Sequence, residues 1–482
     1  HMQKSSRIKS APPPGDDPNL KTKIALIRCP CVTLPFPPDI AVGYLRATLA
    51  RAGYEVKVMD YNWRLYSRAD EATRDAWRWY GADTSKYVKM SAEVFQRFMP
   101  DIVEEIDGLI ASGYLVFGFN VWEMNRDNSI SLAHVIKNRD PRCIVIFGGP
   151  ECMPLWYGDR LAEDPAVDAI VFGEGEDTLL ELLGSFEKED RLKPCAGAYV
   201  RQGTNMVKAQ SRPVGHPGQL PYPDFSDYDF TQVDRQLPIA FNRGCAWNCE
   251  FCSVPGYIPQ FRWRSAENIF AEMEHQIDRY GINSFFEFSP TSNSNMNELL
   301  KLGDLIIDRK LQIEWEGFAT FHRLMDEAAI EKISRTGCYC LNFGLESGSQ
   351  RVLDAMRKRF NLEHAESILR NMKRHGIDAA VCVMVGFPGE TEEDFQATIE
   401  FVKRNAEYLS TIGSISIMGP QTYSAISTQF DAYGIVPDNE PAGSWHLKDL
   451  SNTHEIRQDR RRRLIDVAAP LGLFREKRLT DE

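Results

Sequence analysis

Short apolar runs separated by helical spacing recur along most of this chain, and they fall into two series. The first comprises Lys23–Arg28, Glu55–Asp60, Tyr114–Phe119, Cys143–Phe147 and Ala169–Phe172, with a helix predicted over Ile40–Ala52. The second comprises Ile239–Asn242, Ser284–Phe288, Ile313–Phe318, Cys340–Gly344, Ala379–Val385 and Ser414–Ile417, again with helices between. Strands of this kind, alternating with helices, are parallel and buried on both faces. The fold class is therefore α/β. Residues 23–185 read as a doubly wound domain and residues 238–420 as a partial or full (β/α) barrel.

Other segments break the rhythm. Between the second and third runs lie residues 61–113, far beyond the roughly two to six residues of a usual loop. Their aromatics, including Trp63, Trp77, Trp79, Tyr80, Tyr87, Phe95 and Phe98, have helical spacing. They predict an inserted helical layer with a small core of its own, or else a lid. Residues 186–237 read as a Pro- and Asp-rich linker holding a hairpin that turns at Gly203. Residues 421–482 read as a small α-rich region whose basic run, Arg460–Arg463, is a solvated helix face. Residues 1–22 read as a disordered tail. It lacks the apolar core of a secretory signal.

Charge and cysteine content narrow the function. The 482 residues include 68 acidic and 56 basic side chains, a net charge of −12. That balance argues against a broad nucleic-acid surface. No apolar run approaches the ~18–20 residues of a transmembrane helix. Eleven cysteines are too few for a disulfide scaffold in a chain this long, so they read as reduced thiols or metal ligands in a cytoplasmic protein.

Three of them carry the strongest chemical signal. Cys245, Cys249 and Cys252 form a C-x3-C-x2-C motif directly after the first strand of the second series, where a barrel places its catalytic loops. Structural zinc takes four ligands, and no fourth Cys or His stands nearby; Cys338 and Cys340 are the distant alternatives. An iron–sulfur cluster on three cysteines leaves one iron open to bind a small molecule.

This motif, with the aromatic Phe251 before its last cysteine, resembles the signature of the radical S-adenosylmethionine (SAM) superfamily. The segments Gly344-Leu345-Glu346-Ser347-Gly348 and Gly386-Phe387-Pro388-Gly389-Glu390-Thr391 resemble later motifs of the same superfamily. The resemblance implies a [4Fe-4S] cluster on Cys245, Cys249 and Cys252. It further implies SAM on the open iron, cleaved by one electron to give a 5′-deoxyadenosyl radical. SAM contacts then fall to Phe251, Glu346, Ser347, Gly386, Pro388 and Glu390. Many relatives carry an acidic pair after the second barrel strand; here Glu287 and Ser289 stand in that region. For Thr391 the simpler reading is an N-cap.

A doubly wound domain ahead of such a barrel resembles the cobalamin-binding subgroup, whose ligands lie at strand C-terminal ends. The matching positions are Pro30 and Cys31; Asn120, Val121 and Trp122; Gly148, Gly149, Pro150 and Glu151; and Gly173 and Gly175. The D-x-H-x-x-G motif that gives a histidine to cobalt in many relatives is absent. Trp63, Trp122 and Asn120 are the candidates for the lower face. The resemblance implies a cobalamin-dependent methyltransferase acting on an unactivated carbon, with an external one-electron reductant of flavodoxin or ferredoxin type. The substrate would be a small molecule, lipid or peptide. The alternatives are a radical SAM cyclase, oxidase or rearrangement enzyme on the same scaffold, and a non-catalytic metal-stabilised binding protein. Methylthiotransfer would call for an N-terminal cysteine triad, which Cys29, Cys31, Cys143 and Cys152 do not reproduce.

Overall fold

The computed structural model describes residues 21–33, 37–78, 84–231, 235–438 and 444–474. The expected tail, Trp79 and Tyr80, and the last eight residues fall largely or wholly outside this set. The first sheet holds five parallel strands: β1 (Lys23–Arg28), β2 (Glu55–Asp60), β3 (Tyr114–Asn120), β4 (Ile144–Gly148) and β5 (Ala169–Val171). Their order is β2-β1-β3-β4-β5, so the direction of winding reverses between β1 and β3. Ligands bind at such a switch point, outside the carboxyl ends of the strands.

The hairpin expected within the linker instead extends this sheet. Its strand β6 (Ala198–Gln202) pairs antiparallel with β5, and β7 (Asn205–Lys208) pairs antiparallel with β6. The 61–113 insertion does not build a separate core. Trp77, Phe95, Ile102 and Ile106 pack in one cluster with Ile27, Phe117 and Val145 of the sheet. Its main element is a 28-residue helix, Thr84–Ala111, which covers one sheet face. Trp63 belongs to the opposite face, edge-on to Tyr228 and Phe230.

What reads as a linker is a packed seam. Phe225 and Tyr228 are buried, and the Asp227 carboxylate accepts from Arg46 at 2.8 Å and from the backbone N–H of Val58 at 3.0 Å.

The second sheet contains β8 (Leu237–Ile239), β11 (Ser284–Glu287), β12 (Glu314–Ala319), β13 (Cys338–Glu346), β14 (Asp378–Val385) and β15 (Thr411–Ile417). All neighbours are parallel and lie in sequence order, so this is a six-stranded partial barrel. A short ladder of β9 (Asn242–Arg243) and β10 (Arg262–Trp263) brackets the cysteine loop. Side chains alternate as the pleat requires. Phe285, Trp315, Leu341 and Val381 are buried under the helices. On the other face Phe288 and Phe318 keep 43% and 39% of their surface exposed, leaving the concave side open.

The C-terminal region is not simply helical. It contains an antiparallel ribbon, β16 (Ile435–Pro437) with β17 (Trp445–Leu447), before the helix His454–Ala468. Nor is the basic run a solvated face throughout. Arg460 is buried and pairs with Glu390 at 2.8 Å, while Arg463 reaches Glu392.

Candidate active site

Buried polar contacts fix the start of the cysteine loop. As the chain leaves β8, the backbone N–H groups of Phe241 and Asn242 both donate to the Ser289 hydroxyl at 2.9 Å. Phe241 N–H also donates to Glu287 Oε1 at 3.0 Å. Arg264 holds the Ala240 carbonyl at 2.8 Å and is itself paired with the buried Glu272 at 2.6 Å. Gly244 then turns with φ +75°; a Cβ there would stand 2.5 Å from the Gln260 carbonyl oxygen. Only a residue without a side chain takes that turn without displacing the loop that leads into β10.

Cys245, Cys249 and Cys252 follow, all free and half-buried. Burial pushes the Cys249 thiol up to about 11, Lys358 pulling the other way, and burial also raises Cys252. Binding of a metal by such thiols therefore releases protons. Lys358 is the cation positioned to stabilise the resulting negative charge. Its ammonium lies 3.4 Å from Glu346 Oε1 and 5.8 Å from the centre of the Phe251 ring. Burial disfavours the Lys358 charge, but Glu346 and the thiols of Cys249 and Cys252 outweigh it and hold the group above the ordinary lysine range.

Backbone geometry aims the carboxylate at this lysine. The β13–β14 register shifts between Gly344 and Glu346, and Glu346 has φ +68°, a left-handed conformation uncommon for a non-glycine residue. A Cβ on Gly344 would meet Glu346 Oε1 at 2.7 Å and the Lys358 ammonium at 2.8 Å.

The other sequence-derived SAM positions are placed differently. Glu287 and Ser289 serve as pins for the loop, and burial pushes the Glu287 carboxyl up to about 7. Ser347 turns inward to Thr398 and to the N–H of Ser349. Gly386 donates its N–H to Glu390 Oε2 at 2.7 Å, and a Cβ on it would lie 2.2 Å from Arg457 Cγ. The open space beside Gly386 is thus taken by the C-terminal helix. Pro388 is buried in the same turn, and Thr391 caps the helix Glu392–Arg404.

Between the two domains lies a cavity of about 370 Å³. Asn120, Gly148, Gly149, Gly173 and Gly175 line it from the first domain, and Arg243, Gly244, Tyr257 and Ser289 from the barrel. None of the described residues of 61–113 lines it, so the described part of the insertion is not its lid. Pro30, Cys31, Val121, Trp122, Pro150 and Glu151 do not line it either. The Cys31 thiol packs on Arg28 and Thr33, and Glu151 pairs with Arg126 at 2.8 Å. Of the lower-face candidates, Asn120 alone reaches the cavity; its amide donates to Asp39 at 2.7 Å.

Three features escape a reading of the sequence. Lys358 sits in the run Arg357–Arg359, which reads as a charged helix end. Arg243 joins the domains through Glu174 at 3.0 Å and Glu176 at 2.5 Å, although the glycines of that acidic loop are its visible signal. Burial disfavours the Glu176 charge, but Arg243 overrides it and keeps the carboxyl below the usual range. Tyr44 lines the cavity from within the first helix, where it reads as core.

Comparisons with known proteins agree with this architecture. Residues 239–402 match the Radical SAM superfamily model. A Pyrococcus horikoshii protein named as an uncharacterized methyltransferase is 26% identical over 377 residues, covering 76% of this chain and 73% of its own. The cytidylyl-2-hydroxyethylphosphonate methyltransferase of Streptomyces wedmorensis is 25% identical over 415 residues, with the same two coverages. Among solved structures, the radical SAM methyltransferase TsrM of Kitasatospora setae, with cobalamin and a [4Fe-4S] cluster bound, superposes with a TM-score of 0.66 at 17% identity. The match spans 88% of this chain and 82% of TsrM. OxsB, a cobalamin-dependent radical SAM enzyme with aqua-cobalamin and SAM bound, gives a TM-score of 0.69 at 14% identity, over 94% and 67% of the two chains.

Proposed function

The chain carries a radical SAM domain, and we propose that it is a cobalamin-dependent methyltransferase acting on an unactivated carbon of a small-molecule, lipid or peptide substrate. One observation carries this reading. The cysteine loop opens beside an interdomain cavity lined by apolar side chains and by the strand-end glycines Gly148, Gly149, Gly173 and Gly175 of the first domain.

A radical SAM domain takes a [4Fe-4S] cluster and SAM. Cys245, Cys249 and Cys252 are the donor set for the cluster, three half-buried thiols on one loop. Glycine also suits the wall to a bulky, flat ligand. A Cβ on Gly173 would meet no atom within 4 Å, and one on Gly148 would meet only carbonyl oxygens at 3.7 and 3.8 Å. At these two positions the wall is bare backbone that a corrinoid can approach closely. When bound, the cluster supplies the electron that cleaves SAM, and cobalamin supplies a carrier for the methyl group.

The chain's own residues do the positioning. Lys358 offers a charged donor for the carboxylate of SAM, and Glu346 an acceptor for its ammonium. Glu287 and Ser289 keep the cysteine loop in register. Phe286, Phe288 and Phe318 give the open barrel face an apolar wall against which a substrate is shielded from water. The reading also takes the protein to be cytoplasmic, to draw electrons from an external flavodoxin- or ferredoxin-type donor, and to act on no nucleic acid. Among the described residues, no helix is long and apolar enough to cross a membrane.

The test is composition followed by product analysis. Protein made in cobalamin-fed cells and purified without oxygen should hold about four irons and one corrinoid per chain. Incubated with SAM, a reductant and substrate extracts, it should form both S-adenosylhomocysteine and 5′-deoxyadenosine. Deoxyadenosine alone would favour a cyclase or oxidase outcome. Zinc in place of iron would remove the reading altogether.

A further inference from the structure

Beside the cysteine loop, and sharing no lining residue with the interdomain cavity, lies an open groove of about 490 Å³. Arg323, Lys358, Arg359 and His364 line it, against a single carboxylate, Asp354. That carboxylate already accepts from Gln350 at 2.9 Å. Among the described residues, neither Arg323 nor Arg359 has an ion-pair partner, and both are exposed. Exposed Leu324 adds an apolar contact beside Arg323. The sign of the groove is therefore opposite to that of the whole chain, which carries −12.

The groove is also close to the cysteines. Lys358 lines it and faces the Phe251 ring on its other side. The backbone N–H of Glu250, inside the cysteine loop, donates to the Met356 carbonyl at 3.1 Å, and exposed Arg357 reaches back to the Glu250 carboxylate. Trp247 packs edge-on against His322, next to Arg323, with ring centres 5.9 Å apart. Lys358 thus borders both this surface and the Cys249 thiol.

We propose that the groove is the docking surface for an acidic one-electron carrier protein, which reduces the cluster through the Lys358 side of the loop. This rests on the cluster assignment above. One electron moves: the carrier is oxidised by one, the cluster is reduced by one, and no bond or proton need change. A small, charge-steered patch suits the purpose, because electron-transfer encounters are weak and use little area. Their association is accelerated by complementary fields.

The experiment uses the full-length, cluster-loaded protein mixed anaerobically with a reduced, acidic flavodoxin, with loss of cluster absorbance followed by stopped flow. The wild-type second-order rate should fall steeply with added NaCl. The double variant Arg323→Glu/Arg359→Glu should be slower by about tenfold or more at low salt. Arg323→Lys/Arg359→Lys should stay near wild type. All three proteins should be reduced to the same extent by dithionite and should then cleave SAM alike. Equal flavodoxin rates in wild type and the Glu variant would overturn the proposal. So would a parallel loss of dithionite-driven SAM cleavage in that variant, which would assign the groove to substrate instead. A wild-type protein that takes up no cluster would overturn the reading beneath it as well.

Discussion

The two large sheets of this molecule are each built on a run of parallel strands with loops at the strands' carboxyl ends, but they shape those loops by opposite means. The first domain works by omission. Gly148, Gly149, Gly173 and Gly175 leave bare backbone around an apolar cavity. The barrel works by buried charge. Glu287, Arg264 with Glu272, Glu346 with Lys358, and Glu390 with Arg460 pin its loops from within. The contrast suits the groups proposed for each side. A large flat ligand needs room and close backbone approach, whereas a reactive cluster needs its loop held in one register and its charge balanced.

Breaking the charged side at its centre should have the largest effect. Cys249→Ala should abolish cluster assembly and SAM cleavage, read as loss of bound iron and of the visible absorbance. Full iron content would remove the cysteine assignment.

Next come the pins. Burial holds the Glu287 carboxyl at about 7 in the folded protein, against about 4.3 for an ordinary glutamate. Between these values the folded chain keeps a proton that the unfolded chain has released, so stability falls as pH rises. Urea titrations at pH 5 and pH 8 should show wild type losing up to about 3 kcal/mol from this group. Glu287→Gln should lose correspondingly less over the same interval; an unchanged slope would reassign the effect to another group.

The glycines offer the sharper test of omission. Gly149 has φ +100°, and its Cβ would lie 2.4 Å from Asn120 Oδ1. Gly149→Ala should therefore lower stability by about 1–3 kcal/mol. Gly173, with φ +75° and empty space beside it, should cost only about 1 kcal/mol as Ala, yet still weaken hydroxocobalamin binding by placing a methyl group in the cavity. If Gly173→Ala binds normally, the corrinoid lies elsewhere. The smallest effect belongs to the outer cap: Thr391→Ala should cost about 1 kcal/mol, seen as a small fall in Tm with no change in SAM cleavage.

The same contrast explains what the sequence made legible. Apolar runs and cysteine spacing are local, so the two sheets and the loop that carries the three proposed cluster ligands could be read directly. Glycine loops were half legible: five of the eleven positions proposed for cobalamin line the cavity. Four of the others lie in the same loops, and Pro30 and Cys31 in the loop after β1, but loop position does not tell which way a residue faces. Long-range charge pairing was not legible. Lys358 and Glu346 are twelve residues apart and meet only because of a bulge and a left-handed residue. Gly386 looked like an approach for adenine, but the segment that fills its open side, at Arg457, comes seventy-one positions later. The hairpin strands were visible, whereas their partner β5 lay across the presumed domain boundary.

One feature of the packing bears on how this molecule can move. A single hydrophobic cluster runs from Ile24 and Val116 of the first sheet, through Phe225 and Tyr228, to Phe285 and Val381 of the barrel. An extensive apolar contact of this kind opposes relative domain motion. The two halves should therefore melt together as one cooperative unit rather than swing apart like a clamshell. Traffic to and from the chemistry is left to the open concave wall of the barrel and to its surface loops.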